Sequence, residues 1–236
     1  MSGEPFIQLA SGACYYFGKI ECPGLDLEQD VIQTLAHMPR FGSKTRLHRN
    51  PPRGYVVLWS VAAHEVACML LARALGYSPE VQWMALHHDD GEALSGDFPA
   101  PMVWWLRQQG TEVTRAINTL RQSAQTAVVD AWKGRKASDV AKLGDIPESL
   151  QIKRVDLALL EGERRVFMAM NGTHWITDDL VSEEDAAMAE GLVRGMLQEG
   201  HNFGAHAADE YRRSHAEVTR LCEREATTWP WRRDGG

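Results

Sequence analysis

Over residues 85–99 the chain reads Ala-Leu-His-His-Asp-Asp-Gly-Glu-Ala-Leu-Ser-Gly-Asp-Phe-Pro. An apolar, helix-like run over residues 81–86 leads into two histidines, His87 and His88, and four acidic residues, Asp89, Asp90, Glu92 and Asp97. Imidazoles and carboxylates bind intermediate transition metals and move protons near neutral pH. Crowding them beside an apolar run is costly unless they are paired or bound to something. The rest of the chain must supply the remaining partners.

Two residues elsewhere complete a candidate set. His64 lies in an apolar stretch, and Asp156 sits between Val155 and Leu157. Each of the two, like the His88-Asp89 pair, falls on a different expected helix, and a helical bundle can converge such side chains on one interior point. Two imidazoles and two carboxylates form a mixed nitrogen and oxygen shell suited to Mn, Co, Fe, Ni or Zn, and less to Mg. The spacing alone leaves other readings open. His64 taken singly fits a satisfied core histidine, and Asp156 fits the surface of an amphipathic helix. His87 competes with His88, and adjacent helical positions point about 100° apart, so one of the two at most faces the ion.

The elements that would position these residues are mainly helical. Short β-like pieces over residues 6–9 and 13–17, with Ser11-Gly12 between them, read as a small hairpin. Asp26 caps a helix with Gln29 as its capping-box partner, and Pro39 ends it. Helices are expected over residues 57–75 (bearing Ser60 and His64), from Ser78-Pro79 through Asp89, over 101–108 with Trp104 and Trp105, from Thr111 to about Trp132, over 147–170, over 182–198 and over 205–224. The last, with His206, Asp209, Glu210, Arg212, Arg213 and His215, reads as mostly solvated. A basic, proline-rich loop spans residues 44–53, a polar connection spans 134–144, and the tail from Thr227 carries Trp229 and Trp231. The fold class is mainly α: a helical bundle with a small N-terminal β hairpin, residues 1–170 forming one domain and 171–236 a helical extension packed on or beside it.

The combination resembles a known family. His…His-Asp…Asp on successive helices is the signature of the HD-domain phosphohydrolases, and the likeness is nearest to their 5′-deoxynucleotidase branch and its phage-encoded relatives. The phrases that carry it are Arg40-Phe41, Ser60-Val61-Ala62-Ala63-His64, Glu92-Ala93-Leu94-Ser95-Gly96-Asp97-Phe98-Pro99 and Lys153-Arg154-Val155-Asp156. It covers about residues 6–170. Residues 47–56 look inserted, and nothing beyond 172 matches.

The resemblance implies that His64, His88, Asp89 and Asp156 hold one divalent metal ion (Co, Mn, Zn, Fe or Mg). Such an ion polarises a phosphate oxygen and lowers the pKa of water. Glu92 would act in proton transfer to or from the water or the leaving oxygen, and Asp97 would place the water or the sugar, or cap the helix near Pro101. Arg40 would grip phosphate, or else stand as a cation at a helix C-terminus. Phe41 would stack on the base or sugar, or be a core aromatic. Lys44 and Arg46 could add phosphate contacts. The implied reaction is hydrolysis of a deoxynucleoside 5′-monophosphate. Its alternative is cleavage of a deoxynucleoside triphosphate with release of triphosphate, and an alternative of another class is a non-catalytic nucleotide sensor. Relatives form dimers or larger rings, so a homo-oligomer is expected.

Composition bounds these readings. The 236 residues carry a net charge of −7, which argues against a nucleic-acid polymer as partner. Four cysteines without a CxxC motif suit free thiols in a reducing compartment. With no N-terminal signal pattern and no apolar run near 20 residues, the expectation is a cytoplasmic protein that does not engage a membrane.

Overall fold

The computed structural model describes residues 4–45, 57–134, 150–168 and 181–224. Arg46, the rest of the basic loop with the inserted stretch, the polar connection after Gly134 and the tryptophan-bearing tail lie outside them. Strands β1 (Phe6–Gln8) and β2 (Cys14–Tyr16) pair antiparallel with Phe6 opposite Tyr16 and Gln8 opposite Cys14. The other elements are helical: α1 (Gln33–His37), α2 (Val61–Ala74), α3 (Pro79–Leu86), α4 (Glu92–Ser95), α5 (Ala100–Arg107), α6 (Thr111–Lys133), α7 (Leu150–Phe167), α8 (Glu183–Glu199) and α9 (Gly204–Arg224). The protein is thus mainly helical, with a small two-stranded hairpin at its N-terminal end.

Helix α2 is the axis of the molecule, touched by α1, α3, α7, α8 and α9. Of its residues from Val61 to Ala72 all but Leu70 are buried, which is the pattern of a helix enclosed on every side. Four of them are alanines, small enough to let the neighbouring backbones come close. Apart from the Cys68 thiol only two are ionisable, His64 and Glu65, both fully buried. An unpartnered polar group in such a place costs roughly 1–3 kcal/mol, and a charged one more. The surrounding helices therefore have to present partners to these two side chains.

Two helices differ from expectation, each for a local reason. α2 begins at Val61 rather than at residue 57, because residues 59–61 pair with residues 38–40: Arg40 N–H donates to Trp59 O at 2.8 Å and Val61 N–H to Met38 O at 3.0 Å. The Ser60 hydroxyl then caps the helix by accepting from Ala63 N–H at 3.1 Å. α3 stops at Leu86, before the His-Asp pair. His87 leaves helical geometry with φ −114° and ψ 13°, and its carbonyl accepts from the Gln125 side chain at 2.5 Å instead of continuing the helix ladder.

The capping box at Asp26 is also modified. Asp26 accepts from Glu28 N–H and Gln29 N–H, both at 2.9 Å, but its own N–H goes to Asp30 at 2.9 Å rather than to Gln29. Asp30 also takes the Ser11 N–H and hydroxyl, at 2.8 and 2.6 Å, tying the hairpin to the wider helical stretch Leu27–Ile32, which Asp26 caps and which runs straight into α1. α9 is less solvated than its composition suggests. Tyr211, Ser214, Val218 and Cys222 are buried against the body, and Val193 and Met196 of α8 belong to the same core. Trp104 and Trp105 lie on the surface, 65% and 56% exposed. Among the described residues no helix is long and apolar enough to cross a membrane, and all four cysteines are free.

α7 crosses α8 at close range. A Cβ on Gly162 would stand 2.6 Å from Glu190 N and 2.7 Å from the Ala189 carbonyl carbon, whereas a Cβ on Gly191 would meet nothing within 4 Å. Gly162→Ala should therefore lower stability by about 1–3 kcal/mol. Gly191→Ala, in the same helix pair, should raise it by about 0.5–1 kcal/mol. Thermal and denaturant unfolding of the two variants check this, and a Gly162→Ala protein as stable as the parent would disprove the close crossing.

Candidate metal centre

Three separate segments converge beside the N-terminal half of α2. His64 comes from α2, His88 and Asp89 from the turn after α3, and Asp156 from the second turn of α7. His64 Nε2 lies 3.2 Å from Asp156 Oδ1 and 3.9 Å from Asp89 Oδ2. His88 Nε2 lies 3.4 Å from Asp89 Oδ2 and 3.7 Å from Asp156 Oδ1. Donor atoms bound to one ion at about 2.0–2.3 Å stand about 2.9–3.7 Å apart at octahedral to tetrahedral angles. The four groups expected from the sequence are thus brought to one point, with the His64 to Asp89 spacing slightly wide.

The two imidazoles are oriented from behind. His88 Nδ1 donates to the Ala85 carbonyl at 2.8 Å. A carbonyl can only accept, so Nδ1 carries a hydrogen and Nε2 is the atom offered to the site. His64 Nδ1 donates to Glu163 Oε1 at 2.7 Å, which leaves its Nε2 facing the same point. Carboxylate or carbonyl support behind a histidine is the usual arrangement at metal sites. His88 Nε2 is buried and has no hydrogen-bond partner. An orphaned imidazole nitrogen aimed at two carboxylates and a second imidazole fits a cation, and the group comprising His64, Cys68, His88 and Asp156 could hold a metal ion.

Electrostatics agree with that fit. Burial works against a charged His88, but Asp89 and Asp156 outweigh it and push its pKa up to about 10. Burial and Arg40 act in the same sense on His64, and Glu163 and Asp156 overcome them to raise it. Burial opposes the Asp156 carboxylate too, yet the two imidazoles hold its pKa well below the usual range. Without a cation, protons on the imidazoles take its place.

Glu163 is fully buried and ionised. Burial opposes its charge, while His64, Arg40 and the Trp59 N–H, 2.6 Å away, hold its pKa down. Arg40 closes the arrangement: Nη1 lies 3.4 Å from Asp89 Oδ2 and Nε 3.5 Å from Glu163 Oε2, with 11% of the side chain exposed. It stands behind the acidic groups as a counter-cation, in the short helical turn Arg40–Ser43 rather than at the end of a long helix. Phe41 adopts φ 56°, unusual for a non-glycine residue, with its ring 5.5 Å from the Arg40 guanidinium carbon. Lys44 is exposed beside Gly42.

Glu92 opens α4, and burial, together with Asp89 and Asp97, raises its carboxyl well above the ordinary range. Its Oε2 is buried without a hydrogen-bond partner. Asp97 is also raised, chiefly by burial.

His87 faces the other way from His88. Its Nδ1 lies 2.7 Å from Asp90 and its Nε2 lies 3.0 Å from His215 Nδ1 on α9. Asp90 also accepts from the Tyr211 hydroxyl at 2.5 Å and from Trp132 Nε1 at 2.6 Å. Gly91 packs so closely on α6 that a Cβ would stand 2.5 Å from Gln125 N. The turn is thus clamped on one face so that its other face presents His88 and Asp89. Sequence reasoning did not single out Glu163, Cys68, Glu65 or Asp90. Glu163 and Cys68 lie seven and four positions beyond Asp156 and His64, on the same helical faces, which is the one signal that could have found them.

No protein-family model matches the chain, and none of the curated proteins matches it. What the structure establishes is a mainly helical protein with a cluster, His64, Cys68, His88 and Asp156, that could hold a metal ion.

Two outcomes follow from this geometry. Since an ion must displace the proton that His88 holds up to about pH 10, apparent Co or Zn affinity should rise at least about tenfold per pH unit between about pH 6.5 and 8.5. Competition against a chelator of known pH dependence measures it, and a flat profile would refute displacement. Glu163→Gln should weaken metal binding by about 10–100-fold, because the Nδ1 acceptor that orients His64 loses its charge. Unchanged affinity in that variant would remove Glu163 from the site.

Proposed function

We propose that this chain is a metal-dependent phosphohydrolase of the HD-domain type, removing the 5′ phosphate of deoxynucleoside monophosphates. The observation that carries the reading is the convergence of His64, His88, Asp89 and Asp156 from three segments, with the orphaned Glu92 carboxyl at the same Asp89. The phrase from Glu92 to Pro99 adds the likeness to the 5′-deoxynucleotidase branch.

These four residues would hold the ion, which when bound supplies Lewis acidity toward phosphoryl oxygens and lowers the pKa of water. The chain's own groups do the rest. Glu92, whose carboxyl burial and acidic neighbours raise well above the ordinary range, is suited to donate a proton to the departing 5′ oxygen. Arg40 keeps positive charge beside the acidic groups, so that an anionic phosphate meets less repulsion there. Asp97 lies near enough to Glu92 to raise its pKa and accepts a backbone hydrogen bond from Phe41, which places it to orient substrate or water. Phe41 offers an aromatic face at the edge of the site, and Lys44 an exposed cation for an outer phosphate.

The test is a panel of deoxynucleoside mono- and triphosphates with Co, Mn, Zn and Mg, scored for phosphate and for triphosphate. Phosphate release from monophosphates is expected. Glu92→Gln should reduce kcat by about 10²–10⁴-fold with metal content unchanged. Triphosphate release alone would move the reading to the triphosphohydrolase. A metal-loaded protein that turns over neither class would overturn the proposal.

A further inference from the structure

Gln125 stands on α6 with its side-chain amide against the turn that joins α3 to α4. Its Nε2 donates to the His87 carbonyl at 2.5 Å, and its Oε1 accepts from the Gly91 N–H at 2.7 Å. A carbonyl only accepts and a backbone N–H only donates, so both ends of the amide are assigned by their partners. The two backbone groups belong to residues four apart, the spacing at which an α-helix bonds N–H to carbonyl directly. The amide thus takes the place of that one helical bond. With the bond made, α3, which ends at Leu86, would wind on to α4, which begins at Glu92. Gly91 permits the approach, since a Cβ there would stand 2.5 Å from Gln125 N. Between the two bonded groups lie His88 and Asp89.

Resting on the metal-centre reading above, we infer that Gln125 is a positioning residue for the ion, holding the turn from His87 to Gly91 open so that His88 and Asp89 face His64 and Asp156. In the open turn His88 Nε2 comes within 3.7 Å of Asp156 Oδ1, and Asp89 Oδ2 within 3.9 Å of His64 Nε2. Successive helical positions turn by about 100°, so winding the segment into helix swings both side chains away from those partners. The task needs a donor and an acceptor at one side-chain end. An ionised glutamate has acceptors only, methionine has no donor, and asparagine is one methylene shorter. Losing the amide leaves His87 O and Gly91 N–H free to bond each other, so no backbone group is stranded and the fold loses little. The loss falls on the ion instead.

The probe is Co(II) added to the metal-free full chain, with affinity read by chelator competition, ligand geometry by the visible absorption of bound cobalt, and metal-free stability by thermal unfolding. Gln125→Met, similar in length and lacking both bonds, should bind cobalt about 10–100-fold more weakly. Its saturated spectrum should differ from that of the wild type, and its metal-free unfolding midpoint should stay near the wild-type value. Gln125→Glu keeps the acceptor for Gly91 but sets a carboxylate against the His87 carbonyl, and should weaken binding as well. A folded Gln125→Met with wild-type affinity, or with a saturated spectrum identical to the wild type's, would limit Gln125 to a structural role and overturn the inference. If Gln125→Met does not fold, the same two readings on Gln125→Glu decide. If wild-type protein binds no cobalt, the metal-centre reading falls and this inference with it. Wild-type protein that binds cobalt but hydrolyses no nucleotide would sink the proposed activity alone.

Discussion

The contact on which the rest of the structure depends is the 2.7 Å bond between His64 Nδ1 and Glu163 Oε1, both side chains fully buried. Neither group is tolerable there alone. Leaving one charge buried without its partner costs roughly 3–5 kcal/mol, a large part of the stability of a domain this size. The bond forces α7 to lie along α2 at one axial position. Asp156, two turns earlier on α7, is then carried to the other nitrogen of the same imidazole. Trp59 reinforces that register: its ring packs on Phe167 with centroids 5.5 Å apart, while its N–H reaches Glu163. Folding energy and site geometry are therefore set by the same side chains.

The second positioning device is the turn after α3. It presents two pairs of residues to opposite sides. His87 and Asp90 turn toward α6 and α9, where Trp132, Tyr211 and His215 receive them, and burial next to His87 pushes the His215 pKa down to about 4. His88 and Asp89 turn toward α2 and α7. Glu65 bridges the two sides, accepting from the Asp89 N–H at 3.2 Å with its own carboxyl raised by burial and by Asp90. A network this deeply enclosed is rigid only if nearly every member is satisfied, so the role of α9 is to complete it.

Much of this could be read from the chain. Apolar periodicity and capping residues placed the helices, and Ser78 and Ser182 cap where their types require. His64, His88, Asp89 and Asp156 stand out in combination, two imidazoles and two carboxylates distributed over three expected helices. Residues that matter as much were silent for physical reasons. Glu163 sits among charged neighbours in sequence, and only its place seven residues after Asp156 separates it from Glu161, which is buried too but paired with Arg164 and Arg165. Tyr211 and His215 depend on where α9 docks, which is a tertiary fact without a local signature. The end of α3 was misplaced because the bond that breaks its ladder comes from Gln125, 38 residues away.

Charge explains why so many costly groups share one interior. Around the candidate centre Asp89, Asp156 and Glu163 each bring a formal negative charge and Arg40 brings one positive, leaving two negative charges to be met. Burial and acidic neighbours raise the carboxyls of Glu65 and Glu92 well above the ordinary range, which lessens the negative charge they add. In the absence of an ion the deficit falls to protons on His64 and His88, whose pKa values are both raised for that reason. A divalent cation balances the same deficit and frees both nitrogens at once. Raised imidazole pKa values and a divalent ion are two ways of meeting the same excess of negative charge. A buried apolar replacement of these residues would pack as well or better. It is the capacity to accept either, rather than stability, that accounts for so many ionisable groups in the most enclosed part of the fold.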